Sequence, residues 1–432
     1  MSNRTIRHLR MAMTSIAVLA GLALQPALAA PVTVSVLYAV PANFSDVQKE
    51  IATRFMAEHP DIKIEFRTPA KDYEAGVEQI LRGVLSKDLP DVAFVGLNQV
   101  RLLEGRNLIV PLDELASKDG GFQQLGYNQS IVDLGKVSAN VFALPFAVST
   151  PILYVNEDLV RAAGGDIDHF PKTWGGINDL AVKIGNLPGK PDGFFFQWDA
   201  SGNWLYQALV NSHGGNLVGP NGCEARFDSD AGLWGLQTLQ SFHEAGMPNL
   251  NWSQSRQAFD AGKLGIVAGS TSYVTTAAKL AQGRFRFRTM PWPDVVDGGK
   301  VPAGGTSAVI LPSSAEKEQA AWEYVKFATG PIGQTLMAQY TGYMPSNEKA
   351  INDENLLKAY YDKHPELLTS VKQLQIVSPW ESWAGANGLK IIDVMKTHVE
   401  AVATGRSDAN ATMPTMKAEV QALLPSNCAT VN

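Results

Sequence analysis

Two hydroxyls and a group of indoles are the residues of this chain best equipped for chemistry. Ser149 and Thr150 interrupt the apolar run "PFAVSTPILYVN" between Pro145 and Pro151. A hydroxyl both donates and accepts. The stretch therefore reads either as a plain turn or as a strand that crosses between two domains and shows its hydroxyls to the cleft. Several of the nine tryptophans sit in polar loops: Trp198 and Trp204 in "FFFQWDASGNWLY", Trp292 in "PWP", and Trp380 and Trp383 in "PWESWAGANG". A sugar offers C–H faces to an indole and hydroxyls to Asn, Asp and Ser. "QWDASGN" and "WESWAGAN" mix these residue types. Trp204 and Trp383 are accordingly candidate ligand-binding residues, with core packing as the competing use of an indole.

Signatures of catalysis are sparse. A nucleophile elbow needs G-x-S-x-G, and "GSTSY" and "GTSAV" both lack the final glycine. H-E-x-x-H is absent, and His59, His169, His213, His243, His364 and His398 are scattered, with no pair at metal-ligand spacing. A carboxylate pair for glycoside hydrolysis assembles only in three dimensions. "DYE" (72–74) and "PWES" (379–382) are where it would be sought. A secreted carbohydrate-active hydrolase is thus the rival class. No catalytic residue, metal site or cofactor is expected, and there is no phosphate-binding Gly-rich loop with a lysine.

The elements that position these residues follow a βαβ rhythm. "VTVSVLYAV" (32–40) alternates, and Val47, Ile51, Phe55 and Met56 then recur at helical spacing. "IKIEFRTP" (62–69) is a strand. "YEAGVEQILRGVLSK" is a helix with Val77, Ile80, Leu81, Val84 and Leu85 on one side, and "PDVAFVGL" (90–97) is a strand buried on both faces. That order predicts a parallel sheet. The rhythm restarts at "PILYVN", with later strands at "LGIVAG" (264–269), "RFRFRTMPW" (284–292) and "SAVILP" (307–312); residues 354–425 read as mostly helical. No Pro/Gly/Ser-rich linker separates the halves, so the chain is expected to cross between two α/β lobes more than once. "PFAVSTPILYVN" and "VPAGGTSAVILP" are the hinge candidates.

The amino terminus reads as a secretory leader: Arg4, Arg7 and Arg10, an apolar stretch from Met11 to Leu24, then "ALA" at 27–29. Cleavage is expected after Ala29, giving a soluble exported chain. Three arginines leave with the leader, which takes the formal net charge from −6 to −9. That balance argues against nucleic acid or an anionic membrane as partner. Cys223 and Cys428 allow one pairing in an oxidising compartment.

With these motifs in hand, the chain resembles the extracytoplasmic solute-binding proteins of ABC importers, in the group of maltose-binding and glycerol-3-phosphate-binding proteins. "PFAVSTPILYVNEDLVRAAG…PKTW", "FRTPAKDYEAGV", "FDAGKLGIVAGSTS", "AGGTSAVIL" and "TGYMPSN" carry the likeness, from about residue 33 to about 425. The resemblance implies two α/β lobes, a periplasmic binding protein fold with the ligand cleft between lobes and hinge crossings. The lobes are expected at 30–146 plus about 300–338 and at 147–299 plus about 339–432, after a leader of 1–29. It places ligand contacts on Tyr73, Ser149, Ser270, Gly305 and Tyr343. Partners implied are a small polar solute and permease subunits of an inner membrane, with the protein a periplasmic monomer.

Two departures bear on the solute. The glycerol-phosphate branch carries an acidic residue where this chain has Leu97, and an arginine where it has Ala384 or a neighbour. Losing both removes two charge-assisted contacts, each worth ~1.5–3 kcal/mol. Lys390 lies six residues late for the arginine, and Asn98 adjoins the lost acid and is a further candidate contact. A neutral sugar, polyol or glycosyl-glycerol is therefore expected, with glycerol 3-phosphate or a glycerophosphodiester as the alternative.

Overall fold

The computed structural model describes residues 30–425; the expected leader and Cys428 lie outside them. The elements that frame the site run in chain order as β1 (Val32–Tyr38), α1 (Pro41–Glu58), β2 (Ile62–Phe66), α2 (Tyr73–Ser86), β3 (Val92–Gly96), β4 (Leu144–Ser149) and β5 (Pro151–Asn156). Then come β6 (Asp192–Phe196), α3 (Trp204–Ser212), α4 (Trp252–Asp260), β7 (Leu264–Ser270), β8 (Phe287–Pro291), β9 (Gly304–Ile310) and α5 (Gly388–Ala403).

Two sheets organise them. The first has the order β2-β1-β3-β9-β4, and the second β8-β5-β7-β6. In the first, β1 runs parallel to β2 and β3, as the βαβ rhythm predicts, and β9 is antiparallel to both β3 and β4. In the second, β6 and β7 are parallel while β5 and β8 run antiparallel to their neighbours. Val92–Gly96 is buried throughout, and so is Leu144–Ser149. Such strands are covered by helices on both faces.

The sequence "PFAVSTP" is a crossing and not a turn within one sheet. Ser149 ends β4 in the first sheet, opposite Gly304, and Pro151 opens β5 in the second, opposite Ser270. A second pass lies just before β9: Ala303 donates to the Ser378 carbonyl, and Lys300 to the Asn211 carbonyl beside the second sheet. A third follows Met344, whose N–H donates to Val148. From there the chain reaches Gln373, which donates to the Thr150 hydroxyl and the Pro151 carbonyl.

The expectation for Thr150 needs correction. Successive strand residues face opposite ways, so only one of the two hydroxyls reaches the cleft. Thr150 is fully buried on the far side, where its hydroxyl meets Ser370 at 2.9 Å and Gln373 at 2.9 Å.

Among the described residues no helix is long and apolar enough to cross a membrane.

Candidate functional site

A cavity of about 580 Å³ opens between the two sheets at these crossings. Its walls are set by where helices begin. Asp72 caps α2 by accepting from the Ala75 N–H at 2.8 Å, which leaves Tyr73 and Glu74 in the first turn beside the cavity. Asn251 and Gln254 form a capping box that starts α4, and the Trp252 N–H donates to Asp199 Oδ2 at 2.8 Å. Asn203, in the left-handed region at φ 56°, turns the chain into α3 and presents Trp204.

Six of the eight residues singled out from sequence line this cavity: Tyr73, Ser149, Trp204, Ser270, Gly305 and Tyr343. The Tyr73 hydroxyl meets Thr306 at 2.6 Å, and Tyr343 accepts from Asn43 at 3.4 Å. Burial pushes both phenols up from their ordinary range. Ser270 accepts from the Ser272 N–H through its hydroxyl. Gly305 has φ 119°, and a Cβ there would lie 2.0 Å from the Ala147 carbonyl oxygen. Only glycine fits this position. Gly304 is different: a Cβ there would meet the Trp204 ring at 2.7 Å and Ser149 Oγ at 2.9 Å. The Trp204 indole, at the start of α3, thus rests directly on the backbone of the first sheet.

The remaining two candidates are placed elsewhere. Asn98 is buried behind Gly202, one layer back from the cavity wall. Trp383 packs edge-on against Phe227, with ring centroids 6.4 Å apart, and does not line the cavity. Polar neighbours in sequence put an indole in a loop but do not say which way it points. The indoles at the cavity are Trp204, Trp252 and Trp380. Trp380 sits 6.1 Å from both Tyr73 and Trp204, centroid to centroid.

Of the charged groups at the cavity, Glu74 comes from "DYE" and Asp199 from "QWDASGN", both motifs singled out above, whereas Lys396 lies outside every motif. Glu74 accepts from Ser201 Oγ at 3.0 Å, an interaction that links the two walls. Burial pushes its carboxyl up from the ordinary range, against the hydrogen bond from Ser201. Asp199 is raised by burial as well. Lys396, two turns along α5, lines the cavity, whereas Lys390 is exposed and does not. Leu97 is buried in the core, and Ala384 hydrogen-bonds to the Gly222 carbonyl away from the cavity. The carboxylate of "PWES" is also elsewhere. Glu381 accepts from the Leu217 and Val218 N–H groups at 2.7 and 2.9 Å and from Asn211 at 2.9 Å, a structural role. Among the described residues no group of three His, Cys, Asp or Glu is arranged to hold a metal ion.

Five cavity-lining side chains carry a buried polar atom with no partner among the described residues: Glu74 Oε1, Asp199 Oδ1, Asn203 Oδ1, Trp204 Nε1 and Trp380 Nε1. Buried polar groups are ordinarily satisfied. These atoms are enclosed; the cavity itself is lined by aromatic rings beside hydroxyl, amide and carboxylate side chains, a lining suited to a molecule with both C–H faces and hydroxyls.

Residues 39–335 match the family model for bacterial extracellular solute-binding proteins. The sn-glycerol-3-phosphate-binding periplasmic protein of Rhizobium meliloti (strain 1021) is 25% identical over 327 residues, 71% of this chain and 74% of that protein. Its counterpart in Escherichia coli (strain K12) is 24% identical over 414 residues, 91% of this chain and 92% of that protein. Among solved structures, UgpB from Mycobacterium tuberculosis in complex with glycerophosphocholine superimposes with a TM-score of 0.79 at 20% identity, covering 91% of this chain and 98% of that one. The chain belongs to the family of bacterial extracellular solute-binding proteins, and its fold is the two-lobed one of the periplasmic binding proteins.

Proposed function

We propose, from this family membership, that the protein is the periplasmic solute-binding component of an ABC importer. It captures a small hydroxyl-rich solute, of the sugar, polyol or glycosyl-glycerol class, in the cavity between its lobes and delivers it to a membrane permease. The observation that carries the reading is one cavity between the two sheets where Trp204, Trp252 and Trp380 stand beside Ser149, Ser270, Asn203, Glu74 and Asp199. Tyr73, Ser149, Ser270, Gly305 and Tyr343 are its proposed contacts, with Glu74, Asp199 and Lys396 as additional polar ones. Solute bridging the walls favours the closed arrangement only through contacts the open one lacks. Trp204 resting on Gly304, and Ser201 donating to Glu74, are contacts of that kind across the cleft.

A second reading, glycerol 3-phosphate or a glycerophosphodiester, is supported by the names of the relatives in Rhizobium and Escherichia. Calorimetric titration of the mature chain with both classes tests the function. Saturable 1:1 binding of one of them supports it, and Ser149→Ala should weaken that binding. Absence of binding to either class would sink it.

A further inference from the structure

The first turn of α5 touches residues that the other sheet carries. α5 itself goes with the second sheet. It packs against the helices Asp230–Glu244 and Ala409–Leu423. Phe242 of the former lies 4.9 Å from Phe194 and 5.2 Å from Phe196 of β6, centroid to centroid. The loop before α5 is tied to the same side: the Ala384 N–H donates to the Gly222 carbonyl, and Asn387 Nδ2 to the Leu423 carbonyl at 2.8 Å. The facing residues go with the first sheet. Leu102 stands on the short helix Val100–Glu104 that follows β3, and is 6% exposed in an apolar cluster with Val95 of β3 and Val309 of β9.

Three contacts make the seam. Gly388 opens α5 and is buried, and a Cβ there would stand 2.9 Å from Leu102 Cδ1. Carbon atoms rest about 3.5–4.0 Å apart, so glycine lets the helix start sit on Leu102 with no room for a methyl. Leu389 packs against the cluster that holds Leu102. Arg106 Nη2, just past the Leu102 helix, donates to the Ala386 carbonyl at 3.0 Å. Leu389 also lines the cavity, whereas Leu102, Arg106, Ala386 and Gly388 do not. Most of the seam is therefore out of reach of a solute. An apolar contact between parts carried by different sheets stabilises only the arrangement in which they meet.

We propose that the start of α5 is a latch across the cleft: Gly388 on Leu102, Leu389 against the apolar cluster and Arg106 on the Ala386 carbonyl favour the closed arrangement whatever the solute. This device presupposes the solute-binding reading above. Affinity scales with the closure equilibrium that the latch biases. A residue of the latch thus changes affinity for every solute by the same factor, while a residue that touches solute discriminates among solutes.

Dissociation constants for sn-glycerol 3-phosphate, glycerophosphocholine, glucosylglycerol and maltose test this. The proteins are the full mature chain, Arg106→Ala, Gly388→Val and the double variant Gly388→Val/Leu102→Ala, with small-angle X-ray scattering of each without solute. Gly388→Val should weaken every probe that the native chain binds by one common factor of about 5- to 150-fold, the span of an overpacked contact. It should also enlarge the ligand-free radius of gyration. Arg106→Ala leaves the apolar cluster whole and should weaken the same probes about 2- to 5-fold. The double variant removes the methyls that the new side chain meets and should recover most of the affinity, whereas mere damage to the cluster would make it worse. Unequal factors among the probes would overturn the latch and leave the solute-binding function standing. So would a double variant that binds no better than Gly388→Val, or a Gly388→Val with native affinity and radius. No binding of any probe by the native chain would overturn both.

Discussion

Adding one methyl group at residue 304 should hold the cleft open. Gly304 lies on the first sheet opposite Ser149, and the Trp204 indole on its surface comes from α3, which the proposed function puts on the other wall of the cleft. A Cβ at 304 would stand 2.7 Å from Cε2 and Cζ2 of that ring and 2.9 Å from Ser149 Oγ. Carbon atoms rest about 3.5–4.0 Å apart, so the ring must retreat by about 1 Å. Because the indole is carried by the other wall, the retreat is a movement of the walls and not a repacking within one core. Overpacking of this kind costs about 1–3 kcal/mol, and here the cost falls on the closed, solute-bound state. Solute affinity of Gly304→Ala should therefore drop about 5- to 150-fold, while the ligand-free protein melts within about 1 °C of the native chain. Gly305→Ala is the control. Its Cβ would collide with Ala147 on the neighbouring strand of the same sheet, and its φ of 119° excludes a side chain. It should lower ligand-free stability by about 1–3 kcal/mol. Calorimetric titration and thermal melts on both variants read the two effects. If Gly304→Ala binds normally but melts early, the contact lies within a rigid core and the cleft is misplaced.

Other expectations follow from the same geometry. Ser149→Ala removes a hydroxyl at the crossing and should weaken binding by about 1 kcal/mol, near 5-fold, with stability unchanged, as measured by titration. Glu381→Gln places N–H groups where the Leu217, Val218 and Asn211 donors point, and should cost about 1–3 kcal/mol in a denaturant melt. Burial raises the Glu74 carboxyl, so its protonated form is favoured in the folded protein relative to the unfolded chain. The resulting stabilisation is complete below the ordinary glutamate value of about 4.3 and is lost as pH rises through the raised one. A pH series of melts should show Glu74→Gln removing that slope.

The lobes were legible because their strands are short apolar runs bounded by turn residues. "PDVAFVGL" and "PILYVN" became β3 and β5 with ends displaced by at most two residues, and "RFRFRTMPW" narrowed to Phe287–Pro291. The crossing at 149–151 was legible from a polar step inside an apolar run. Its sidedness was not, since alternation turns Thr150 away as surely as it turns Ser149 in. For the tryptophans, loop composition pointed to Trp204 and Trp383 alike, yet Trp383 is spent on packing against Phe227. The charges at the cavity were sought at the positions implied by the resemblance, where Leu97 and Ala384 stand. They stand instead at Glu74 of "DYE", in the first turn of α2, at Asp199 just before α3, and at Lys396 on α5; the Asp72 cap that fixes the start of α2 is a feature a linear motif does not weigh.

A thermal-shift screen of the purified mature chain tests the central claim most directly, with neutral sugars and polyols set against glycerol phosphates and their diesters. A solute that binds only the folded protein stabilises it by about 2.7 kcal/mol at one hundred times its dissociation constant. Capture of a solute between the lobes predicts a saturable rise in melting temperature with at least one of these solutes, and a weaker rise for Gly304→Ala at the same concentration. A flat response across the panel, or an equal rise in Gly304→Ala, would contradict capture of a solute between the lobes.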